Sequence, residues 1–312
     1  MDIAGILKAL ADDSRLRLLH LLSKGSFNVQ ELTNTLHLSQ STVSHHLKIL
    51  EQAGLVSHRK EGSWAFYTIS PSDQSSFEGQ LLALTTEAIT RSAKLTDLLE
   101  EDRRAIQQVL SARRDKGRRY FETVAQDWSQ IRDEAQGKAD YLPYLKDRIS
   151  PSCSLLELGC GSGTVLKQLA PRSGETFGVD YSSAMIEQAR ENLKHIESAV
   201  DLRLGYLEHL PIGDETIDCA IACMVFHHIA EPLEALRDIA RVLRHDGKLV
   251  VVDLVEHDNE YMRERYADLW LGFNTETFSR WGAQLGLETQ HIEVLGAEKD
   301  VFVIEMTKHE KE

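Results

Sequence analysis

Cysteine is scarce in this chain: four in 312 residues, none before Cys153. So few, placed so unevenly, exclude a disulfide scaffold and suit a reduced, cytoplasmic setting. Proline is nearly as thin, at six residues, which argues against long Pro-rich linkers or extended disorder. No stretch approaches the roughly 18 apolar residues of a membrane span, so no membrane partner is expected. The opening "MDIAGILKALADDSR" lacks the basic start and cleavage site of a secretory signal. Positive charge is also short, with a net charge of −14. That figure argues against a nucleic-acid partner until its distribution is read. Residues 1–70 carry seven Lys/Arg and six Asp/Glu, so the acidity belongs to the rest of the chain. A weakly charged DNA reader must then rely on a local basic patch, which dimerisation doubles.

What is present at the N-terminus is punctuated periodicity. Leu16, Leu18, Leu19 and Leu22 recur at helical spacing from Ala11 onward, and "NVQELTNTLHL" predicts a second short helix. Ser39 is a good N-cap for a third, with Val43, Leu47 and Leu50 on one face and Gly54 as its stop. "LVSHRK" and "WAFYTIS" then alternate like a hairpin around "EGS". Helix, turn, helix and hairpin make a winged helix-turn-helix. A recognition helix needs polar residues at its exposed N-terminal end and an apolar back. Gln40, Ser41, Thr42, Ser44, His45 and His46 supply the polar end. Lys48 and the wing residues Arg59 and Lys60 are placed for phosphate contacts.

"SRLRLLHLL", "LSQSTVSHHLKILEQAGLV" and "RKEGSWAFYTIS" resemble the arsenical-repressor (ArsR/SmtB) winged-helix family over roughly residues 1–100. The resemblance implies a homodimer, paired through N- and C-terminal helices, on an imperfect palindrome of double-stranded operator DNA. Metal sensors of that family carry cysteines in the helix before the recognition helix. Here the stretch reads "SFNVQELT", and residues 75–100 hold no histidine, so no metal site is expected.

From about Ser75 to Gln136 helical periodicity continues, with Leu81, Leu84, Ala88, Leu95, Leu98 and Leu99 as an apolar seam for a partner. The expected organisation is a DNA-binding domain at 1–74, a helical dimerisation and linker region at 75–136, and a cofactor-binding domain at 137–312. The last reads as a βαβ alternation. Its strands are "LLELG", "ETFGVD", "DLRLGYL", "TIDCAIACMV", "KLVVVDLVE", "HIEVLG" and "VFVIEMT", with helices at 163–170, 183–195, 232–243 and 275–285. The fold class is α/β: a winged helix-turn-helix followed by a doubly wound, Rossmann-like sheet.

Gly159, Gly161 and Gly163 form G-x-G-x-G after the first of these strands. Glycine lets a backbone turn tightly against a ligand. The sixth position is Thr164, so the dinucleotide fingerprint is incomplete. Asp180 ends the next strand, where a carboxylate can accept ribose hydroxyls. Glu157, just before the loop, can hold a ligand amine through water.

"LLELGCGSG", "GVDYSSAMIEQAR", "GYLEHLPI", "DCAIACMVFHHI" and "ALRDIARVLRHDGKLVVVDL" resemble class I S-adenosylmethionine-dependent methyltransferases over roughly residues 120–312. The resemblance implies a methyltransferase sheet binding S-adenosylmethionine or S-adenosylhomocysteine. Gly159, Cys160 and Gly161 would border the methionine end and Asp180 the ribose. Tyr181, Leu207 and Glu208 would lie about the adenine, with Met185 and Met224 in the pocket wall. Tyr206 stands where the family often has an acidic residue.

Methyl transfer depends mainly on positioning, and no catalytic residue is assigned. His227 and His228 are the obvious general-base candidates, or else shape the pocket mouth. Cys219 and Cys223, four residues apart on one strand, are separated by about 13 Å and cannot share one metalloid. Met262, Tyr266, Trp270 and Phe273 form a helical stripe that either packs on the sheet or lids the pocket. An apolar lid would favour the neutral thioether. The two resemblances together match a known fusion group linked to methionine-cycle control. They imply a repressor that senses the cofactor, the alternative being a working methyltransferase on a small acceptor that also regulates its own operon.

Overall fold

Short helices at the N-terminus hold because their ends are capped. The Asp12 side chain accepts from the Arg15 N–H at 3.1 Å, which starts helix α2 (Asp13–Leu22) and separates it from α1 (Ile3–Leu10). The periodicity predicted a single helix here and missed α1. Asn28 and Glu31 form a reciprocal capping box at α3 (Val29–Leu36). That helix stops at His37, whose φ of 53° is left-handed. Ser39 caps α4 (Gln40–Gln52), accepting from the Thr42 N–H. Strands β2 (Val56–Glu61) and β3 (Trp64–Ile69) pair antiparallel, and β1 (Phe27–Asn28) adds a third strand in the order β1-β3-β2. Leu18, Leu19, Phe27, Leu32, Val43, Leu47 and Leu50 form the buried interior.

The computed structural model describes residues 3–23, 25–61, 64–70, 81, 84–85, 88–89, 95–128, 131, 140–172, 174–196, 200–296, 298 and 300–309. The side chains of Arg59 and Lys60 lie outside the described set, as does most of the expected seam region between 71 and 94. Two compact units emerge, 1–112 and 113–312. Helix α5 (Thr96–Val124) begins in the first and ends in the second. In the first unit, Arg17 grips the buried Asp102 of α5 through two hydrogen bonds of 2.6 and 2.5 Å. Leu95 and Leu99 pack with Ile89 and Leu16. These two seam residues therefore face their own core rather than a partner, whereas Leu84 and Leu98 are exposed.

The second unit is a seven-stranded sheet with strand order β6-β5-β4-β7-β8-β10-β9. Its strands are β4 (Leu155–Leu158), β5 (Thr176–Asp180), β6 (Val200–Leu204), β7 (Ile217–Cys223), β8 (Leu243–Leu254), β9 (Leu287–Leu295) and β10 (Val301–Lys308). β4 to β8 pair in parallel, and β10 runs antiparallel to both β8 and β9. All seven expected strands are present. Helices α7 (Thr164–Leu169), α8 (Ser183–Leu193), α9 (Pro232–Val242) and α11 (Thr275–Gln284) match the four expected ones. Helix α6 (Leu142–Arg148) was not foreseen.

Strand order reverses between β4 and β7, and at such a switch point the loops leave the carboxyl ends of adjacent strands in opposite directions and open a crevice. One expectation fails nearby. The helix expected to carry Met262 through Phe273 ends at Tyr266 (α10, Tyr261–Tyr266), because Ala267 takes a left-handed φ of 60°. Trp270 and Phe273 pack on the sheet core, one of the two alternatives for this stripe, and the Trp270 indole N–H donates to the Ile229 carbonyl at 2.7 Å. Among the described residues no helix is long and apolar enough to cross a membrane.

Candidate functional site

The crevice above β4, β5 and β7 is a pocket whose empty space, open solvent at its mouth included, is about 590 Å³. Of the twelve residues expected there, Glu157, Gly159, Cys160, Gly161, Asp180, Tyr181, Met185 and Met224 line it. The glycine loop is built by backbone need. Gly159, Gly161 and Gly163 all have positive φ, and a Cβ on Gly159 would lie 2.3 Å from Val225.

Asp180 organises the floor. Its Oδ2 accepts the Gly161 N–H and its Oδ1 the Ser182 N–H, both at 2.9 Å. With Tyr181 as a further backbone donor, the carboxylate still keeps acceptor capacity for a ligand hydroxyl. Burial raises this carboxyl to about 6, against the three backbone donors of Ser182, Gly161 and Tyr181. Glu157, also buried, accepts the Leu166 N–H at 3.1 Å. Lys and Arg are missing from the pocket wall among the described residues, so its field is anionic. Burial pushes the thiols of Cys160 and Cys223 well up, which leaves them protonated packing groups.

Four expected residues lie outside the wall. Gly163 faces helix α8, where a Cβ would meet Leu193 at 3.0 Å and Ala189 at 3.3 Å, so its lack of a side chain lets that helix pack close. Leu207 is buried in the sheet core. Glu208 is 3.9 Å from Arg114, which also bonds Glu231 at 3.0 Å. Tyr206 is 39% exposed, its ring 5.9 Å from that of Tyr181.

The lid expected from Met262, Tyr266 and Trp270 is absent from the wall. Phe121 and Trp128 stand there instead, from the segment read as linker. Phe121 meets Trp128, Tyr181 and His228 edge-on at 5.1, 6.2 and 4.8 Å. In a chain with only 7% aromatics, the cluster "YFETVAQDW" was the available signal.

His227 and His228 follow β7 on a short 3-10 turn (Phe226–His228) and do different jobs. His227 Nδ1 pairs with Asp253 Oδ1 at 2.7 Å. Burial disfavours its charge, yet Asp253 and Asp268 outweigh that and raise it to about 9. His228 lines the pocket and is held neutral by burial and by His227. The intact strand between Cys219 and Cys223 leaves those thiols apart, as expected.

On α4, Gln40, Ser41, Ser44, His45 and Lys48 are exposed. Thr42 is half-buried, with its hydroxyl 2.7 Å from Ser39 Oγ. His46 turns inward, 3.9 Å from Asp12, with its charge disfavoured by burial; it is a packing residue rather than part of the exposed face.

Residues 12–58 match the bacterial regulatory proteins of the arsR family, and residues 156–251 match the methyltransferase domain family. An uncharacterized HTH-type transcriptional regulator of Methanocaldococcus jannaschii is 49% identical over 67 residues, covering 21% of this chain and 75% of its own. An uncharacterized 37.1 kDa protein in transposon TN4556 of Streptomyces fradiae is 36% identical over 159 residues, 48% of this chain. The match spans only 45% of that protein's length. Among solved structures, a chain from the Haloferax volcanii complex of the Trm112 methyltransferase activator with a methyltransferase superposes with a TM-score of 0.54. It is 17% identical and covers 61% of this chain and 98% of its own; at that identity the likeness is one of fold. The chain belongs to the arsR family of bacterial regulators through its N-terminal winged helix, to which a methyltransferase domain with a Rossmann-like sheet is joined.

Proposed function

We propose that this protein is a homodimeric transcriptional repressor, acting in the cytoplasm on an imperfect palindrome of double-stranded DNA. In this reading its methyltransferase domain binds S-adenosylmethionine or S-adenosylhomocysteine as effector and the regulated genes serve the methionine cycle. One observation carries the reading: a single chain holds both an exposed polar helix face at Gln40–Lys48 and a formed pocket at the sheet's switch point. Dimerisation is supported by Ile3 and Leu7, apolar neighbours on α1 that are 55% and 51% exposed.

The pocket suits the proposed ligand. Asp180 offers acceptors for ribose hydroxyls, and Glu157 an anionic partner for the amino-acid end. Gly159 and Gly161 allow close backbone approach, and Tyr181, Met185 and Met224 supply apolar wall. When bound, the sulfonium form supplies a transferable methyl group. A preference for the neutral thioether does not follow, since the lid that argued for it is elsewhere and the wall is anionic. A second reading, a working methyltransferase on a small acceptor, is favoured by one observation: the formed pocket has an imidazole, that of His228, in its wall, and methyl transfer needs mainly an acceptor held in position.

The deciding experiment is fluorescence anisotropy with DNA from upstream of the protein's own gene, titrated with protein at saturating concentrations of each cofactor form. An effector is expected to weaken DNA binding by about 5–150-fold, with the same factor applying to ligand affinity in the presence of DNA. Unchanged DNA affinity in both forms sinks the sensor reading; turnover on an acceptor would then favour the enzyme.

Ligand affinity should also depend on pH through Asp180. Ribose hydroxyls donate to its ionised form, so the bound carboxyl titrates below the free value of about 6. Affinity is therefore full above pH 6 and falls as pH drops through it. Stability of the free protein runs the other way. The raised carboxyl binds its proton more tightly folded than unfolded, so this group's contribution grows as pH falls from about 6 toward 4. Cys160 and Tyr181, the titratable neighbours, are held neutral by burial across that range. Calorimetric titrations between pH 5 and 8 check this; an Asp180→Asn variant should show a flat profile, and an equally steep one would assign the titration elsewhere.

A further inference from the structure

Beside the pocket, three ligand-type side chains converge. His227 and His228 lie with ring centroids 4.1 Å apart. Asp268, in the segment after α10, faces both: its Oδ1 is 3.9 Å from His227 Nε2 and 3.6 Å from His228 Nδ1. One ligand atom from each residue falls within 4.8 Å of the other two. Asp268 is only 4% exposed, yet neither of its carboxylate oxygens has a hydrogen-bond partner, and neither does His228 Nδ1. Polar groups buried in this way are kept when a counter-charge or a metal satisfies them.

We propose that His227, His228 and Asp268 form a binding site for a divalent transition-metal ion, zinc above all, with an open coordination position toward the pocket. Two imidazoles and one carboxylate are borderline ligands suited to zinc, and three protein ligands leave the fourth position for water or a bound molecule. Zinc at about 2.0–2.2 Å from each atom holds tetrahedral ligands roughly 3.3–3.6 Å apart. The His228–Asp268 separation of 3.6 Å is nearly there, the His227–Asp268 separation of 3.9 Å needs a shift of a few tenths of an ångström, and the ligand atoms, now within 4.8 Å of one another, must close by up to about 1 Å at the widest pair.

The surrounding groups are those of a metal centre. A ligating histidine usually gives its other ring N–H to a carboxylate, which fixes the tautomer. His227 is placed to do so: Nδ1 meets Asp253 Oδ1 at 2.7 Å and Nε2 faces Asp268, so a metal ion would take the place of the Nε2 proton. Asp253 is fully buried and is itself fixed by the N–H groups of Phe226 and Leu254 at 2.9 and 2.8 Å. His228 belongs to the pocket wall, so the open position borders whatever the pocket holds. The competing account is purely electrostatic, with Asp268 neutralising His227 and the nearby Arg263 charge.

The test uses the full-length protein, stripped with a chelator and titrated with Co²⁺ and then Zn²⁺. The expected result is one tight equivalent per chain, with visible cobalt d–d bands and no near-ultraviolet thiolate charge transfer. Asp268→Asn and His228→Gln should each weaken binding at least about tenfold, and Asp253→Asn, which removes no ligand, about 10–100-fold. Circular dichroism establishes that the variants are folded; should Asp268→Asn fail to fold, His228→Gln carries the test. The proposal is overturned if the folded wild type takes up no stoichiometric metal. Thiolate charge transfer, which places the metal on cysteine, or unchanged affinity in the folded variants overturns it equally. None of these readouts requires operator DNA or an S-adenosyl ligand, so the result stands apart from the regulatory reading.

Discussion

Replacing Ser41, Ser44 and His45 together with alanine is expected to lower specific DNA affinity at least about 100-fold. The three sit at spacings of three and four residues on the exposed side of α4, which is the side a groove can reach. Their support is rigid, since Val43, Leu47 and Leu50 behind them are fully buried. A base-edge contact contributes about 1–3 kcal/mol, and a homodimer loses each one twice. Alanine is a strong helix former, so α4 should persist. Thr42 and His46 are left out because both are half-buried, the second packing near Asp12. A gel-shift series on the folded triple variant is the check; operator affinity equal to wild type would show that another element enters the groove.

Loss of the pocket should be nearly as severe. Asp180→Ala removes the acceptor for the ribose hydroxyls and for the buried N–H groups of Gly161 and Ser182. Hydrogen bonds to a charged group contribute about 1.5–3 kcal/mol each, so affinity for either cofactor form should drop at least tenfold. Gly161→Val should cost more. At a φ of 51° a β-branched residue is a steric outlier. The added Cβ would also sit 3.5 Å from the Trp128 indole nitrogen, at the pocket wall. Calorimetry with S-adenosylmethionine and S-adenosylhomocysteine measures both variants. Isotherms like wild type from the two would rule out this pocket as the ligand site.

Strands and caps were legible because their determinants are local. Alternating or continuous apolar runs bounded by turn residues identified all seven strands of the large sheet, and Ser39 marked the start of α4 through one side-chain hydrogen bond. The glycine loop and Asp180 were legible because left-handed backbone and a carboxylate at a strand end leave residue-type signatures. The stripe from Met262 to Phe273 misled for a related reason. Its spacing fits a helix, but Ala267 adopts a left-handed conformation that alanine rarely takes, and nothing local announces that.

Sequence alone therefore determined the two-part architecture, the polar face of α4 and the floor of the pocket, all built from contacts between near neighbours or from residue types with narrow conformational uses. Tertiary structure decided what covers that floor and what gathers beside it. Phe121 and Trp128 reach the wall from a helical segment that precedes the first strand of the sheet. Gly163, Leu207 and His46 are taken into packing by neighbours distant in sequence. Asp268 meets His227 and His228 only because the chain turns at Ala267 and the Leu269 and Trp270 N–H groups bond back to the His227 carbonyl. No periodicity encodes those meetings, because a long-range contact depends on where two whole elements are carried by the sheet and not on the residues that flank it.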